Sequence, residues 1–239
     1  VWFLSRRGTD LGSVLSRVLR EEAGKKRKVF VREEGEVDLF LDSGAFSVWS
    51  SGAKIDIQEY IAFIKEHQDV INVYANLDVI SVEGKAPDRL SAEKTLENQK
   101  IMEAAGLSPL PVFHIGEPLE YLEYYVSHYD YVGLGGLARV RSSEVLISWL
   151  DKCFSEYICD RNGYPRVKVH GFGLASLRVM VRYPWYSVDS AAWALLGYKG
   201  RIYVPWRRNG RWIYDENPRL LVVVSSRHFL SEKAKREHI

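Results

Sequence analysis

Cysteine is nearly missing from this chain, which has only Cys153 and Cys159. A C-x5-C pair with no matching histidine spacing is neither a zinc motif nor a disulfide framework, and such usage fits a reducing, cytoplasmic setting. Long apolar runs are missing as well. Nothing approaches the roughly 20 residues that span a bilayer, and the opening VWFLSRRGTD lacks the apolar stretch of a signal peptide. The expectation is therefore a soluble, unexported protein with no membrane partner. No GxGxxG or P-loop opens a helix, which argues against a nucleotide-binding fold, and no internal repeat, low-complexity tract or Pro/Gly/Ser-rich linker divides the chain. An excess of either charge is also absent. The 33 Lys and Arg against 31 Asp and Glu leave +2 and a pI near 8.4. That is too mild to announce a nucleic-acid binder, so local clusters must make that case.

What is present is a rhythm. The 239 residues suffice for one sizeable core, and residues 1–239 read as a single domain. Apolar runs rich in Val, Ile, Leu, Phe and Tyr each end in Gly, Asp, Ser or His and lead into a polar, helix-like stretch. The strand candidates are Val1 to Leu4, Leu39 to Asp42, Val70 to Leu77, Leu110 to Ile115, Tyr131 to Leu134, Val167 to Phe172 and Tyr186 to Asp189. The eighth is either Ile202 to Val204 or Leu220 to Val224. Ile57 to His67, Ser91 to Ala105, Pro118 to Ser127 and Ser142 to Tyr157 space apolar residues as amphipathic helices do. Ser91 with Lys94 reads as a cap without its usual acidic partner, and Ser231 to Ile239 as a short helix or frayed tail. The class is α/β. The expected architecture is a compact (β/α)8 TIM-like barrel, with an incomplete barrel or one carrying a C-terminal hairpin as variants. An open doubly wound sheet gives the same linear rhythm.

A parallel barrel carries its chemistry at the carboxyl ends of its strands. In this sequence those ends are Asp42-Ser43-Gly44, Asp78, His114, Gly133 with Gly135 and Gly136, His170 to Gly173, and Asp189-Ser190. Three aspartates and two histidines would then face one mouth. Taken singly, each has an ordinary explanation: aspartate caps helices, glycine turns chains, and a lone histidine is most often a hydrogen-bonded structural residue. Their shared placement is the signal. A glycine cluster such as GLGGL lets backbone groups approach a planar ligand where a Cβ would intervene.

The set DSGAF, NLD, GLGGLA, HGFG and DSAAWAL, running in this order from Leu39 to Leu196, resembles the tRNA-guanine transglycosylase superfamily. It looks closest to the compact phage-type branch that places 7-deazaguanines in DNA, and DSAAWAL resembles the nucleophile segment of the archaeal enzymes. The first 38 residues and the last 40 or so carry no match. Two departures favour DNA over tRNA: the C-x-C-x2-C…H zinc motif is missing, and there is no room for the extra RNA-binding domains of the archaeal enzymes. A third is His114, where bacterial tRNA enzymes carry a glutamine that touches the base.

The resemblance implies that Asp189 attacks C1′ of a guanosine unit to form a covalent glycosyl-enzyme intermediate. Asp42 then handles the leaving-group proton as general acid/base, by the logic of a retaining glycosidase. Asp78 suits the guanine edge, since a carboxylate accepts both N1–H and N2–H. Ser43, Gly44, His114, Gly135, Gly136, Leu137, His170 and Gly171 complete the implied substrate site. The incoming partner is a free base, guanine or a preQ0-like 7-deazaguanine, and no cofactor or metal is called for. Phe46 and Phe113 are stacking candidates, although phenylalanine at a strand end is more often core. Extruding a base from a duplex costs a few kcal/mol. Arg207, Arg208 and Arg211, between Trp206 and Trp212, would supply a positive, aromatic rim. The same segment reads equally as a solvated hairpin between Tyr203 and Tyr214 with tryptophans packed beneath, and Lys25 to Lys28 is a weaker patch. The compartment is the cytoplasm, that of the host if the source is viral, and a homodimer is compatible with everything above. Other readings stay open: the same exchange on tRNA, a nucleoside or glycoside hydrolase using Asp42 and Asp189, or a non-catalytic nucleic-acid-binding subunit. Against the last stands the retention of all three strand-end aspartates.

Overall fold

A computed structural model of the chain describes residues 2–6, 36–45, 55–80, 89–140, 142–204, 206–213 and 220–223. Phe46, the Lys25 to Lys28 run and Ser231 to Ile239 lie outside them. The chain divides into two compact units, Val1–Val112 with Gly116–Pro118 and Phe113–Ile115 with Leu119–Ile239.

In the first unit, β1 (Trp2–Arg6) runs antiparallel to β2 (Glu36–Leu41), with Trp2 opposite Phe40. Helix α1 (Ile57–Glu66) begins where Asp56 accepts hydrogen bonds from the amides of Gln58 and Glu59, at 2.7 and 3.2 Å. These satisfy donors that the first helical turn leaves open. Tyr60, Ile61 and Ile64 lie one helical turn apart and are its buried face. They pack with Leu39, Leu41, Ile71, Leu77, Met102 and Leu107 into the unit's core. Strand β3 (Ile71–Tyr74) pairs parallel to β2, as a strand–helix–strand crossover requires.

Helix α2 (Arg89–Ala104) starts two residues before Ser91. The expected cap at Ser91 is therefore corrected: the residue is buried within the helix. Its inner face, Ser91, Ala92, Thr95, Gln99 and Met102, is mostly polar or small: Met102 joins the apolar core, while the Thr95 and Gln99 side chains bind backbone. Asn76 Nδ2 donates to the Thr95 carbonyl (2.8 Å), the Val79 amide to Thr95 Oγ1 (2.9 Å) and Asn98 Nδ2 to the Leu77 carbonyl (2.7 Å). Gln99 Nε2 donates to the Pro109 carbonyl at 2.9 Å. The Asn76-Leu77-Asp78 loop is thus held by the helix.

In the second unit a four-stranded sheet has the order β4 (Val112–His114), β5 (Tyr131–Gly135), β6 (Lys168–Gly171), β7 (Ser187–Val188). The β5–β6 and β6–β7 pairs are parallel, with Gly133 opposite His170 and His170 opposite Ser187. Val132, Leu134 and Val169 are fully buried, as in strands covered on both faces. Between these strands lie α3 (Leu119–His128) and α4 (Ser143–Lys152), the latter capped by Ser142 Oγ on the Val145 amide at 3.3 Å. The helix expected to reach Tyr157 changes at Cys153 into a π-helical segment, Cys153–Ile158, which buries Cys153, Phe154 and Ile158. Both cysteines are free thiols.

After the one-turn α5 (Leu177–Met180) and α6 (Ala192–Tyr198), the chain forms two antiparallel pairs. In one, β8 (Arg201–Val204) pairs with β11 (Leu220–Val223), so the two candidates for an eighth barrel strand are each other's partners. In the other, β9 (Trp206–Arg208) and β10 (Arg211–Ile213) form a hairpin. Asn209 and Gly210 at its turn have φ of 49° and 78°, the left-handed pair that matches strand twist in two-residue hairpins. The fold is mixed α/β with parallel strands and a C-terminal hairpin, and among the described residues no eight-stranded barrel is completed.

Candidate functional site

Asp189 immediately follows β7 and Ser187 lies two residues before it; His170 is on β6 and Tyr131 on β5. Strand periodicity puts Ser187 and Asp189 on one side of the chain, and the register puts Ser187 beside His170. The side chains connect accordingly. Tyr131 Oη is 2.6 Å from Ser187 Oγ, which is 2.6 Å from His170 Nδ1. On the far side of the imidazole, Nε2 is 3.3 Å from Asp189 Oδ1. The same oxygen accepts the Gly173 amide at 2.7 Å. The side chains of His170 and Asp189 are 4% and 11% exposed. Both contacts fall on Oδ1; among the described residues no hydrogen bond reaches Oδ2 of Asp189.

Gly173 makes this arrangement by its backbone. Its φ of +67° disfavours any Cβ, and an added Cβ would lie 3.1 Å from that of Ala138. Gly171 is buried under Trp185, whose ring a Cβ would meet at 3.1 Å, and its carbonyl accepts the Asp189 amide at 3.2 Å. Burial, above all, raises the Tyr131 hydroxyl above its usual pKa and keeps it a neutral phenol, against a smaller opposite effect of Ser187.

The first unit gathers the other aspartates. Ser43, almost fully buried, donates to Asp78 Oδ1 at 2.5 Å and accepts the Ala45 amide at 3.1 Å. Its proton is thereby committed to orienting Asp78. Tyr60 donates to the Ala75 carbonyl at 2.9 Å. Its hydroxyl pKa is driven up by burial first and then by the charges of Asp42 and Asp78, so both carboxylates act on one buried phenol. Gly44 turns the chain after Asp42 at φ +75°.

The remaining expected residues fall as follows. His114 ends β4 in a buried position, Gly135 ends β5 and accepts the Ile115 amide at 3.3 Å, and Gly136 leads into a short turn of helix beginning at the buried Leu137. Phe113 is wholly buried and stacked on Trp149, which makes it core rather than a base platform. Arg207, Arg208 and Arg211 are exposed on the hairpin, with the Arg207 guanidinium 5.4 Å from the centre of the Trp212 ring. Trp212 lies under the Arg207 guanidinium, as the hairpin reading expected, and is itself 49% exposed. Tyr131 and Ser187 are not among the expected site residues, and Gly173 enters only as the last residue of the His170 to Gly173 strand end. Ser187 was open to discovery, since its spacing from Asp189 is a strand repeat; Tyr131 needed the register.

Among the described residues no three His, Cys, Asp or Glu side chains gather as a metal site, and no helix is long and apolar enough to cross a membrane. No protein-family model matches the chain, and no curated protein does.

Proposed function

We propose that this chain is a base-exchange glycosyltransferase that replaces guanine in DNA with a 7-deazaguanine of the preQ0 type, on a (β/α)-barrel frame. One observation carries the reading: one carboxylate oxygen of Asp189 accepts the Gly173 amide and stands 3.3 Å from the His170 imidazole, and among the described residues no hydrogen bond reaches the other. A nucleophile needs that asymmetry, an immobilised anion with one lone-pair-bearing oxygen available for attack. Asp189 Oδ2 attacks C1′, the C1′–N9 bond breaks, and guanine leaves with the bonding pair and takes up a proton. The incoming base then attacks C1′ through N9, gives up its N9 proton and releases Asp189. Within this reading Asp42 is the proton-handling group, Asp78, oriented by Ser43, takes the guanine edge, and the exposed arginines of the β9–β10 hairpin bind backbone phosphates.

The test is incorporation of radiolabelled guanine into duplex DNA and unmodified tRNA by the purified protein, beside Asp189→Asn. Label in DNA that vanishes with Asp189→Asn supports the reading. Label in tRNA alone overturns the choice of polymer, base release without incorporation makes the protein a hydrolase, and undiminished exchange by Asp189→Asn removes the nucleophile.

A further inference from the structure

The Tyr131–Ser187–His170 chain has only one proton arrangement that leaves the histidine neutral and its outer nitrogen compatible with the carboxylate beside it. Ser187 Oγ carries a single proton and stands 2.6 Å from two partners, Tyr131 Oη and His170 Nδ1. In one direction Tyr131 donates to Ser187 and Ser187 donates to Nδ1. The ring proton then sits on Nε2, whose heavy atom is 3.3 Å from Asp189 Oδ1, an electrostatic contact rather than an aligned hydrogen bond. In the other direction Nδ1–H donates to Ser187 and Ser187 to Tyr131. Nε2 must then either point a lone pair at a carboxylate or carry a second proton, placing a cation on a ring whose side chain is 4% exposed. The first arrangement gives the Tyr131 and Ser187 protons an acceptor each, sets the ring proton beside the carboxylate and leaves no charge on the ring. Gly133, opposite His170 in the register, adds no side chain beside it, and the Phe172 ring abuts the imidazole edge-on with centroids 4.4 Å apart.

We infer that Tyr131 and Ser187 are positioning residues that lock His170 as its neutral Nε2–H tautomer, and that the positive end of this N–H dipole attracts Asp189 Oδ1 while the Gly173 amide bonds it, so that Oδ2 is presented for attack. The catalytic consequence rests on Asp189 being the nucleophile; the tautomer does not. A purely structural polar network would need neither a single tautomer nor its dependence on the serine hydroxyl.

The experiment is nitrogen-15 NMR of the His170 imidazole in the full chain at neutral pH, assigned by comparison with His170→Gln. Ser187→Ala, Ser187→Thr and Tyr131→Phe are measured alongside. The expected spectrum has Nδ1 as a bare acceptor and Nε2 protonated. Ser187→Ala should lose that single form, Tyr131→Phe should weaken it, and Ser187→Thr, which keeps the hydroxyl, should restore it. Base exchange should fall about tenfold in kcat with KM little changed in Ser187→Ala and recover in Ser187→Thr. An Nδ1–H tautomer or an imidazolium in the unmutated protein overturns the inference, and so does an Nε2–H tautomer indifferent to Ser187→Ala and Tyr131→Phe. Should Ser187→Ala fail to fold, Tyr131→Phe decides alone. The expected spectra in a protein that exchanges no base would leave the tautomer lock standing and sink the transglycosylase reading instead.

Discussion

Replacing Gly173 by alanine tests the geometry around Asp189 with a single methyl group. The backbone at Gly173 sits at φ +67°, where a Cβ costs about 1–2 kcal/mol. That Cβ would stand 3.1 Å from the Cβ of Ala138. Neither atom can rotate away, so the backbone must shift, and overpacking of this kind typically costs about 1–3 kcal/mol. Gly163→Ala is the matched control: its φ is +82° with nothing within 4 Å of the added carbon, so it bears the conformational cost alone. Urea unfolding, read as the change in midpoint multiplied by the slope, should place Gly173→Ala about 1–3 kcal/mol below Gly163→Ala. The same shift drags the Gly173 amide from Asp189 Oδ1, now 2.7 Å away, so base exchange should fall in Gly173→Ala and not in Gly163→Ala. Equal stabilities for the two variants, with exchange intact in both, would show that the turn yields freely and that the Gly173 amide does not hold the carboxylate.

Two further expectations concern the hairpin and the thiols. If Arg207, Arg208 and Arg211 contact phosphates, each change to alanine should reduce the slope of log affinity against log salt for duplex DNA by about 0.9; fluorescence anisotropy over a salt series measures this, and unchanged slopes would remove the hairpin from the interface. Burial pushes the Cys153 thiol pKa from its ordinary 9.0 up to about 12. At pH 8, iodoacetamide followed by mass spectrometry should modify the partly exposed Cys159 and spare Cys153 until the protein unfolds. Because the folded state holds the Cys153 proton more tightly, its stabilising contribution is complete below pH 9 and is lost as pH rises from about 9 to 12. Rapid native labelling of Cys153 would contradict this.

Much of the α/β alternation was legible because it rests on apolar spacing. Ile57, Tyr60, Ile61 and Ile64 mark α1, and Asp56 marks its start. Helix α2 was harder to bound, because its buried face is Ser91, Thr95 and Gln99. These are residues that elsewhere signal caps and surfaces, and the backbone groups that Thr95 and Gln99 bind account for the burial of those two. Apolar runs also do not name their partners. Ile202 to Val204 and Leu220 to Val224 each read as a strand, yet hydrogen bonding joins them to one another. In the candidate site, Asp189 and His170 stood out as polar residues closing apolar runs, whereas Ser187 and Tyr131 inside such runs did not. Their role follows from strand register, a non-local property that spacing along the chain does not contain.

The hold of α2 on the Asn76-Leu77-Asp78 loop has a consequence for recognition. Strand-end loops ordinarily surrender conformational freedom when a ligand orders them, which weakens binding by about 0.5–1.5 kcal/mol for each immobilised side chain. Here Asn76, Leu77 and Val79 are each tied to the helix by a hydrogen bond, and the Asp78 carboxylate is tied to Ser43. The loss of freedom therefore belongs to folding, and any molecule that meets Asp78 meets an acceptor whose direction is already set. Affinity at that carboxylate should depend on the ligand's donors and little on rearrangement of the protein, and the enthalpy of binding should carry the discrimination between bases.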